Sequence, residues 1–360
     1  MATNIYQNSQ ARYNNNDNSR ILAVFFEGTA NTLSPITTQI GLFADACEAE
    51  NVSVGAGGRI SNIPSSGPLK MAFDGCGVTN GNLGLLFAAG LDSQCDSVAT
   101  VVESMRKKSP TTRVRVVALG LSRGGIACMK LALKLANFKV DEVSVSMLLF
   151  DPVPGNAVST GFPYSAGFSQ NLETCSNLER VLAIYPFEPL PDVSMHAPTL
   201  AKYPSTTLVE EDVSLGCHQG ALFMPNRTPR DRYIAASNLS FRRILDFSML
   251  EGLEFEFQYG VYIPTPEDCI HIADQELQFN GNSPSSRITH DKTGRNRKIV
   301  RHRKSEGIVW LNKQHKQLKE RIKSNKAQPQ ESVSVDTVDQ GSFLLDFDYG
   351  YTFCGLNSRW

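Results

Sequence analysis

The sequence has no hydrophobic run long enough to cross a membrane. Nowhere in its 360 residues do about 18 apolar residues follow one another, which a membrane-spanning helix requires. The leader, residues 1–19, is rich in Asn, Gln and Ser and lacks the apolar segment of a secretory signal peptide. We therefore expect neither a membrane-spanning helix nor classical export.

Closely spaced cysteines are also missing. The eight cysteines are scattered, and no two of them form a C-x-x-C pair. This spacing argues against a zinc site and against a dense disulfide framework. We expect a protein that is made in a reducing compartment and holds no metal.

The net charge of −1 conceals a strong segregation of charge. Residues 287–326, the basic segment, contain 14 Lys or Arg against three acids, a net +11, while the remaining residues carry 21 bases and 33 acids, a net −12. Such a segment is typical of contact with an anionic surface, and equally of a solvated tail. Of the anionic surfaces, we favour a membrane over nucleic acid.

The rest of the chain has a globular composition, with 41% hydrophobic and 20% charged residues. Apolar runs rich in branched residues alternate with helix-like stretches, which predicts an α/β fold with a mostly parallel sheet and helices on both faces. The predicted strands are 20–26, 113–119, 143–150, 180–185 and 207–215, with a half-exposed strand at 254–263. The predicted helices are 95–107, 124–137 and 241–250, the second with Lys130 and Lys134 on a solvated edge.

These patterns divide the chain into three parts. Residues 1–19 form a disordered polar leader, residues 20–265 the core, and residues 266–360 a C-terminal extension that contains the basic segment. The last twenty residues, 341–360, are aromatic and prone to form strands, so we expect them to fold back onto the core.

Gly120-Leu121-Ser122-Arg123-Gly124 is a G-x-S-x-G motif between a predicted strand and a predicted helix. In a nucleophile elbow, small residues flank a serine on a sharp strand-to-helix turn, which exposes its hydroxyl above the sheet. Ser122 is thus a candidate nucleophile. The alternative is a glycine-rich turn in which Ser122 caps the helix.

A nucleophilic serine needs a histidine as base. Three of the six histidines lie in the basic segment. Among the others, His218 fits best because glycines flank it and it follows the predicted strand 207–215. It also comes last in the chain order Ser, acid, His that accompanies a G-x-S-x-G elbow. His196 is the second candidate, and a structural role is the alternative for either.

The acid of a triad follows a core strand. Asp151 directly follows the predicted strand 143–150, while Glu188 and Asp192 follow the next one. We favour Asp151, although an Asp before a proline is also a common turn initiator.

The oxyanion formed on attack needs preorganised N–H donors. One is the amide of Arg123, the residue after the serine, and the other comes from a loop after an earlier strand, where Gly28 and Thr29 are well placed. Glu27 beside them is open to several interpretations, as a buried structural acid or as a ligand for a cation.

Several motifs occur together in a recognisable order: FFEGTANT at 25–32, FDGCGV at 73–78, GLSRGG at 120–125, FDPV at 150–153 and GCH at 216–218. They resemble the α/β-hydrolase family that includes the type VI secretion phospholipase effectors, over residues 20–256. In that family the corresponding motifs are F-D-G-T-x-N, G-x-G, G-F-S-R-G, D-T-V and G-x-H-S-D.

The resemblance implies an α/β-hydrolase fold with Ser122 as nucleophile, Asp151 as acid, His218 as base and the Gly28-Thr29 turn as an oxyanion element. It implies an esterase of the lipase or phospholipase type that needs no cofactor, and a protein that leaves the bacterial cytoplasm without a cleaved signal. Glu27 replaces the family's Asp, Pro152 its Thr, and Gln219-Gly220 its Ser-Asp.

Two segments bear on the substrate. Residues 155–170 carry aromatics among Gly, Ser and Pro, as a mobile lipase cover or an ordinary surface loop would. Residues 305–326 place apolar side chains at near-helical spacing among basic residues, as in a helix lying on an anionic membrane or binding a protein. The predicted membrane contacts are Trp310, Lys313, Lys316 and Lys319.

Overall fold

The computed structural model describes residues 18–55, 58–61, 63–78, 90–153, 171–186, 201–214, 221–222 and 232–265. These residues form one central sheet with helices against it. The strands are β1 (Ser19–Phe26), β2 (Glu50–Asn51), β3 (Leu69–Phe73), β4 (Arg113–Leu121), β5 (Val143–Phe150), β6 (Leu178–Pro186) and β7 (Leu208–Ser214). The helices are α1 (Gln39–Ala46), α2 (Leu91–Lys108), α3 (Arg123–Leu135) and α4 (Arg232–Leu250).

Seven strands of the described chain lie in the order β2-β3-β1-β4-β5-β6-β7. Every neighbouring pair is parallel, and β1 pairs with β3 on one side and with β4 on the other. The central strands β4 and β5 are buried almost throughout. A parallel sheet covered on both faces requires such continuously apolar strands.

Alternate residues of each strand belong to two separate hydrophobic clusters. On one face, Leu22 and Val24 of β1 pack with side chains of α2 and α3. On the other face, Ala23 and Phe25 pack with side chains of α1 and α4. The period of two along the strands thus divides the core into two layers.

The predicted α/β fold, with a mostly parallel sheet and helices on both faces, is confirmed. The five predicted core strands are present, and residues 143–150 have the predicted bounds. Three elements were not predicted, namely α1, β2 and β3. Strand β3 is five residues long and carries Lys70 at its second position, so its sequence lacks an unbroken apolar run.

The predicted strand at 254–263 is wrong. This segment forms one isolated antiparallel bridge, between Phe255 and Cys47, and otherwise turns and irregular backbone. It lies against the end of α1, where the ring centroids of Phe255 and Phe257 are 5.2 Å and 5.4 Å from that of Phe43. The alternation therefore reflects aromatic packing on a helix, which needs no strand partner.

The solvated edge predicted for α3 is also wrong at Lys130. Its side chain is buried and pairs with Asp92 of α2 at 2.7 Å, and Lys134 pairs with Asp96 one turn further along at 2.6 Å. Because α2 packs beside α3, these lysines face acidic partners on a neighbouring helix. None of the described helices has the length and hydrophobicity that crossing a membrane requires.

Candidate active site

The strand order reverses direction between β1 and β4. The chain leaves β1 towards β3 on one side, and it leaves β4 towards β5 on the other. The loops that follow two such strands diverge and leave a crevice at the carboxyl edge of the sheet, where α/β proteins bind their ligands. The β1–α1 loop and the β4–α3 turn therefore border this crevice.

Ser122 lies at the β4–α3 turn with φ 57° and ψ −118°. A positive φ is rare for a residue with a side chain, and such a conformation costs about 1–3 kcal/mol, so it persists only where surrounding contacts impose it. The contacts here are backbone hydrogen bonds. The Ser122 N–H donates to Phe150 O at 2.9 Å, and Ser122 O accepts from Gly125 N at 3.0 Å. The conformation is that of a strained strand-to-helix turn, as the sequence motif predicts for a nucleophile elbow.

Two glycines of the motif make this turn sterically possible. A Cβ on Gly120 would collide with the backbone of Gly124, and a Cβ on Gly124 would collide with Phe26 O. The backbone after the serine thus packs directly against the end of β1. The spacing of the motif reflects these two close approaches.

The hydroxyl of Ser122 does not cap α3. Ser122 occupies the N-cap position but makes no side-chain capping hydrogen bond. By contrast, the Oγ1 of Thr38 caps α1 and accepts from Gly41 N at 3.2 Å. The alternative interpretation of Ser122 as a helix-capping residue is therefore wrong, and its hydroxyl is not committed to the helix.

Asp151 lies immediately after β5, beside the serine turn. The N–H of Val153 donates to Ser122 O at 3.2 Å, and the N–H of Asp151 donates to Ile184 O at 2.8 Å. Asp151 is fully buried and has a positive φ of 49°. The structure thus brings Ser122 and Asp151, which are 29 positions apart, to adjacent strand ends.

The β1–α1 loop lies on the other side of the serine turn. A Cβ on Gly28 would be 3.1 Å from Leu121 Cγ, so this loop touches the residue before the serine. Thr29 is half-buried, and its Oγ1 is 3.5 Å from Cys76 Sγ. Arg123 is buried; burial lowers the pKa of its guanidinium, and Cys76 acts in the opposite direction. The predicted oxyanion residues Gly28, Thr29 and Arg123 thus lie together at the crevice.

Glu27 is buried at the end of β1, with 1% of its surface exposed. Thr38 Oγ1 donates to its Oε1 at 2.6 Å and Gly28 N donates to its Oε2 at 3.2 Å. Burial raises the pKa of Glu27 to about 7; hydrogen bonds from Thr38, Gly28 and Gly41 act against this rise, and Asp74 adds to it. The sequence analysis left the role of Glu27 open. A threonine at position 38, a residue type favoured at helix N-caps, was the feature of the sequence that could have indicated a hydrogen-bond partner for this acid.

Several predicted residues lie outside the described residues. These are His218 and its rival His196, Glu188, Asp192, the segment 155–170, the basic segment, and Trp310, Lys313, Lys316 and Lys319. Most of residues 1–19 and all of residues 266–360 lie outside them as well. The full triad and the membrane contacts therefore remain predictions.

A cavity of about 310 Å³ lies away from the crevice, lined among others by Arg20, Met105, Lys108 and Val114. Arg20 and Val114 begin β1 and β4, whereas the candidate nucleophile follows β4. The guanidinium of Arg20 donates to three backbone carbonyls, and Lys108 Nζ donates to Ile63 O. The Arg20 and Lys108 side chains thus bind backbone carbonyls of residues 63–67 at the amino edge of the sheet. Among the described residues, no cluster of His, Cys, Asp and Glu has a metal-binding arrangement.

No protein-family model and no curated protein matches this chain by sequence. Solved structures do match it by shape. One is an uncharacterized protein from Pseudomonas aeruginosa, with 13% sequence identity, a TM-score of 0.50, and an alignment that covers 76% of this chain and 53% of that chain. Another is the Tle1 effector bound to the VgrG spike from the Type 6 secretion system, with 12% identity, a TM-score of 0.38 and coverage of 59% and 52%.

At such identities the likeness to the Pseudomonas aeruginosa protein concerns the fold alone. The chain spans about half the length of each of these two proteins. The chemistry of the crevice therefore has to be argued from its own residues.

Proposed function

We propose that this protein is a serine hydrolase that cleaves carboxylic esters, with Ser122, His218 and Asp151 as its triad. The observation that supports this most strongly is the backbone of Ser122. A serine held at φ 57° between a parallel strand and a helix, with a hydroxyl that does not cap the helix, has the conformation of a nucleophile elbow. A merely structural serine gains nothing from this strain.

In the proposed reaction, Ser122 Oγ attacks the ester carbonyl and its proton passes to His218. The tetrahedral oxyanion collapses, the acyl group stays on Ser122, and His218 returns the proton to the leaving alcohol. Asp151 orients the imidazole and stabilises its charged form. Water, activated by His218, then releases the carboxylic acid and restores the serine.

We further propose a substrate of the phospholipid class. The resemblance to type VI phospholipase effectors and the basic segment both favour it, since a positively charged segment attracts anionic headgroups. Residues 155–170 would then cover the acyl site. On the same resemblance we propose that the protein is a bacterial effector, delivered from the cytoplasm into a target cell without a cleaved signal.

The decisive test is labelling of the whole chain with a fluorophosphonate probe. We expect the wild type and Ser97→Ala, a change on the solvent side of α2, to be labelled, and Ser122→Ala to remain unlabelled. Turnover of a short-chain p-nitrophenyl ester should fall at least ~10³-fold in Ser122→Ala with an unchanged circular dichroism spectrum. A folded wild type that resists the probe would favour a catalytically silent binding module.

A second measurement separates a phospholipase from a non-lipolytic esterase or an acyltransferase. Esters of increasing chain length are assayed with and without phospholipid vesicles, and products are identified by mass spectrometry. A phospholipase releases fatty acid from vesicles and prefers long chains. Activity confined to short soluble esters, or acyl transfer to an added alcohol in preference to water, would contradict the phospholipase proposal.

A further inference from the structure

In the turn at residues 27–31, between β1 and α1, nearly every backbone N–H donates a hydrogen bond to an acceptor in the protein. In a folded protein each buried N–H needs an acceptor, so the destination of every donor can be checked. Four of the five amides have an acceptor: Glu27 N donates to Phe73 O, Gly28 N to Glu27 Oε2, Ala30 N to Cys76 O and Asn31 N to Gly28 O. Within the part of the chain that the structure describes, the amide of Thr29 donates to no acceptor.

Glu27 explains why Gly28 is unavailable. Its carboxylate takes the amide of Gly28 with one oxygen and the hydroxyl of Thr38 with the other, at 3.2 Å and 2.6 Å. Thr38 is the N-cap of α1. One buried side chain thus joins the end of β1 to the start of the next helix, and the turn between them is held at both ends.

The turn lies against the candidate nucleophile. Gly28 packs on Leu121, and the backbone of Gly124 packs on that of Phe26. The turn therefore lies on the β1 side of Ser122, next to the residue that precedes the serine. An oxyanion hole requires two N–H donors that converge on the same oxygen, one from the residue after the nucleophile and one from a loop after another strand.

We propose that the amide of Thr29, and not that of Gly28, is the oxyanion donor of this turn, and that Glu27 is the positioning residue that directs it by holding Gly28 and α1. This inference rests on the proposed hydrolase function. Burial of the Glu27 carboxyl removes it from water, which costs free energy that its hydrogen bonds only partly offset. Its presence beside the nucleophile is explained by the positioning it provides.

The first test compares two changes at one position. Thr29→Ala keeps the backbone amide, whereas Thr29→Pro removes it. We expect Thr29→Pro to lose about 10²–10³-fold more in kcat than Thr29→Ala does, with little difference in KM between the two variants. Equal activities of the two folded variants would overturn the assignment of Thr29.

The second test concerns Glu27 and decides the matter if Thr29→Pro does not fold. Glu27→Leu removes both hydrogen bonds. Glu27→Gln keeps an acceptor oxygen for Gly28 N and supplies an N–H that can donate to Thr38 Oγ1, which reverses the direction of that hydrogen bond. We expect Glu27→Leu to lose at least ~10-fold in kcat and Glu27→Gln to recover most of it. A folded Glu27→Leu with wild-type kcat would overturn the positioning role. Should Glu27→Leu unfold, Thr38→Val removes the same anchor from the helix side and takes its place.

A binding measurement distinguishes positioning from general damage. A trifluoromethyl ketone forms a hemiketal with the serine and places its oxyanion in the oxyanion site, whereas the matching methyl ketone binds largely as a ground state. We expect Thr29→Pro and Glu27→Leu to weaken the first inhibitor at least ~10-fold more than the second. Equal weakening of both would indicate a structural role only and contradict the proposal.

Failure of this inference differs from failure of the hydrolase proposal. If the wild type takes no fluorophosphonate label, the hydrolase proposal fails and this inference with it. If the wild type is labelled at Ser122 and the variants at residues 27 and 29 behave as wild type, the hydrolase stands and only the assignment of the turn is wrong.

Discussion

Three described non-glycine residues have a positive φ, and all three lie at the carboxyl edge of the sheet. They are Ala30 after β1, Ser122 after β4 and Asp151 after β5, on three neighbouring strands. Backbone strain persists only where surrounding contacts impose it, and it accumulates at functional sites. At the scale of single residues, this coincidence locates the site independently of any motif.

Glu27 makes stability depend on pH in a direction unusual for an acid. Burial raises its pKa from the ordinary 4.5 to about 7 in the folded state. Below pH 4.5 both the folded and the unfolded chain keep the proton. As pH rises to about 7 only the folded chain keeps it, so the stability that Glu27 contributes declines across this window and is lost above it.

We therefore predict that Glu27→Gln, which stays neutral, gains stability relative to the wild type between pH 4.5 and 7. Each pH unit of that window corresponds to about 1.4 kcal/mol, which puts the gain at roughly 3 kcal/mol or less. Urea unfolding at a series of pH values measures it, with the exposed Glu103→Gln on α2 as the control. A Glu27→Gln curve that runs parallel to the wild type across the window would contradict the prediction.

At the level of secondary-structure elements, two side chains outside helix α1 hold its ends. One belongs to the residue just before the helix and the other to a strand further along the chain. Helix α1 has eight residues, too few to be stable alone. Thr38 caps its start, and Lys70 from β3 caps its end by donating to Ala44 O and Cys47 O at 2.8 Å and to Asp45 O at 3.2 Å. The lysine that interrupts the apolar pattern of β3 thus satisfies the last carbonyls of a helix.

We predict that Lys70→Met, which keeps the shape of the stem but removes three donors, lowers the free energy of unfolding by about 1–3 kcal/mol. Urea unfolding of the whole chain measures the loss. The control is Lys139→Met at an exposed turn, which should change stability by less than about 0.5 kcal/mol. Equal effects of the two substitutions would show that Lys70 does not cap the helix.

The end of α4 is held in a comparable way. Glu251, the residue after the helix, is buried, and Arg115 of β4 donates to its backbone O at 2.9 Å. Arg180 of β6 pairs with its carboxylate at 3.1 Å. Positive side chains near a helix C-terminus are favourable, and here they join α4 to the amino half of two strands.

For the whole molecule, the segregation of charge along the chain predicts how the protein binds a membrane. The basic segment carries +11 and the remainder −12, so the chain would meet an anionic membrane through this segment while the remainder is repelled. We predict binding to vesicles that contain phosphatidylglycerol and weak binding to neutral vesicles, with an affinity that falls as salt is raised.

The variant that tests this replaces Lys313, Lys316 and Lys319 by Gln, and its control replaces the same three by Arg. Each lysine near the surface contributes about 1 kcal/mol, so we expect the Gln variant to bind on the order of 10²-fold more weakly and the Arg variant to bind as wild type. Vesicle sedimentation at low and high salt is the measurement. Unchanged binding by the Gln variant would remove these residues from the membrane contact.

Much of the architecture was predictable because the signal is local. Continuous apolar runs such as 143–150 predict strands buried on both faces, and their alternation with helices predicts a parallel sheet. The same reasoning missed α1 and β3, whose stability depends on distant partners, and misread 254–263, whose aromatic alternation serves packing against a helix.

The α/β class and the strand, serine and helix order around Ser122 follow from local sequence alone, since hydrophobic periodicity and glycine spacing are properties of neighbouring residues. Long-range packing sets which loops meet at the crevice, which amide of the 27–31 turn has no acceptor among the described residues, and which groups the carboxyl of Glu27 binds. These features arise from close contacts between residues far apart in the chain, which burial makes specific and which no local pattern records.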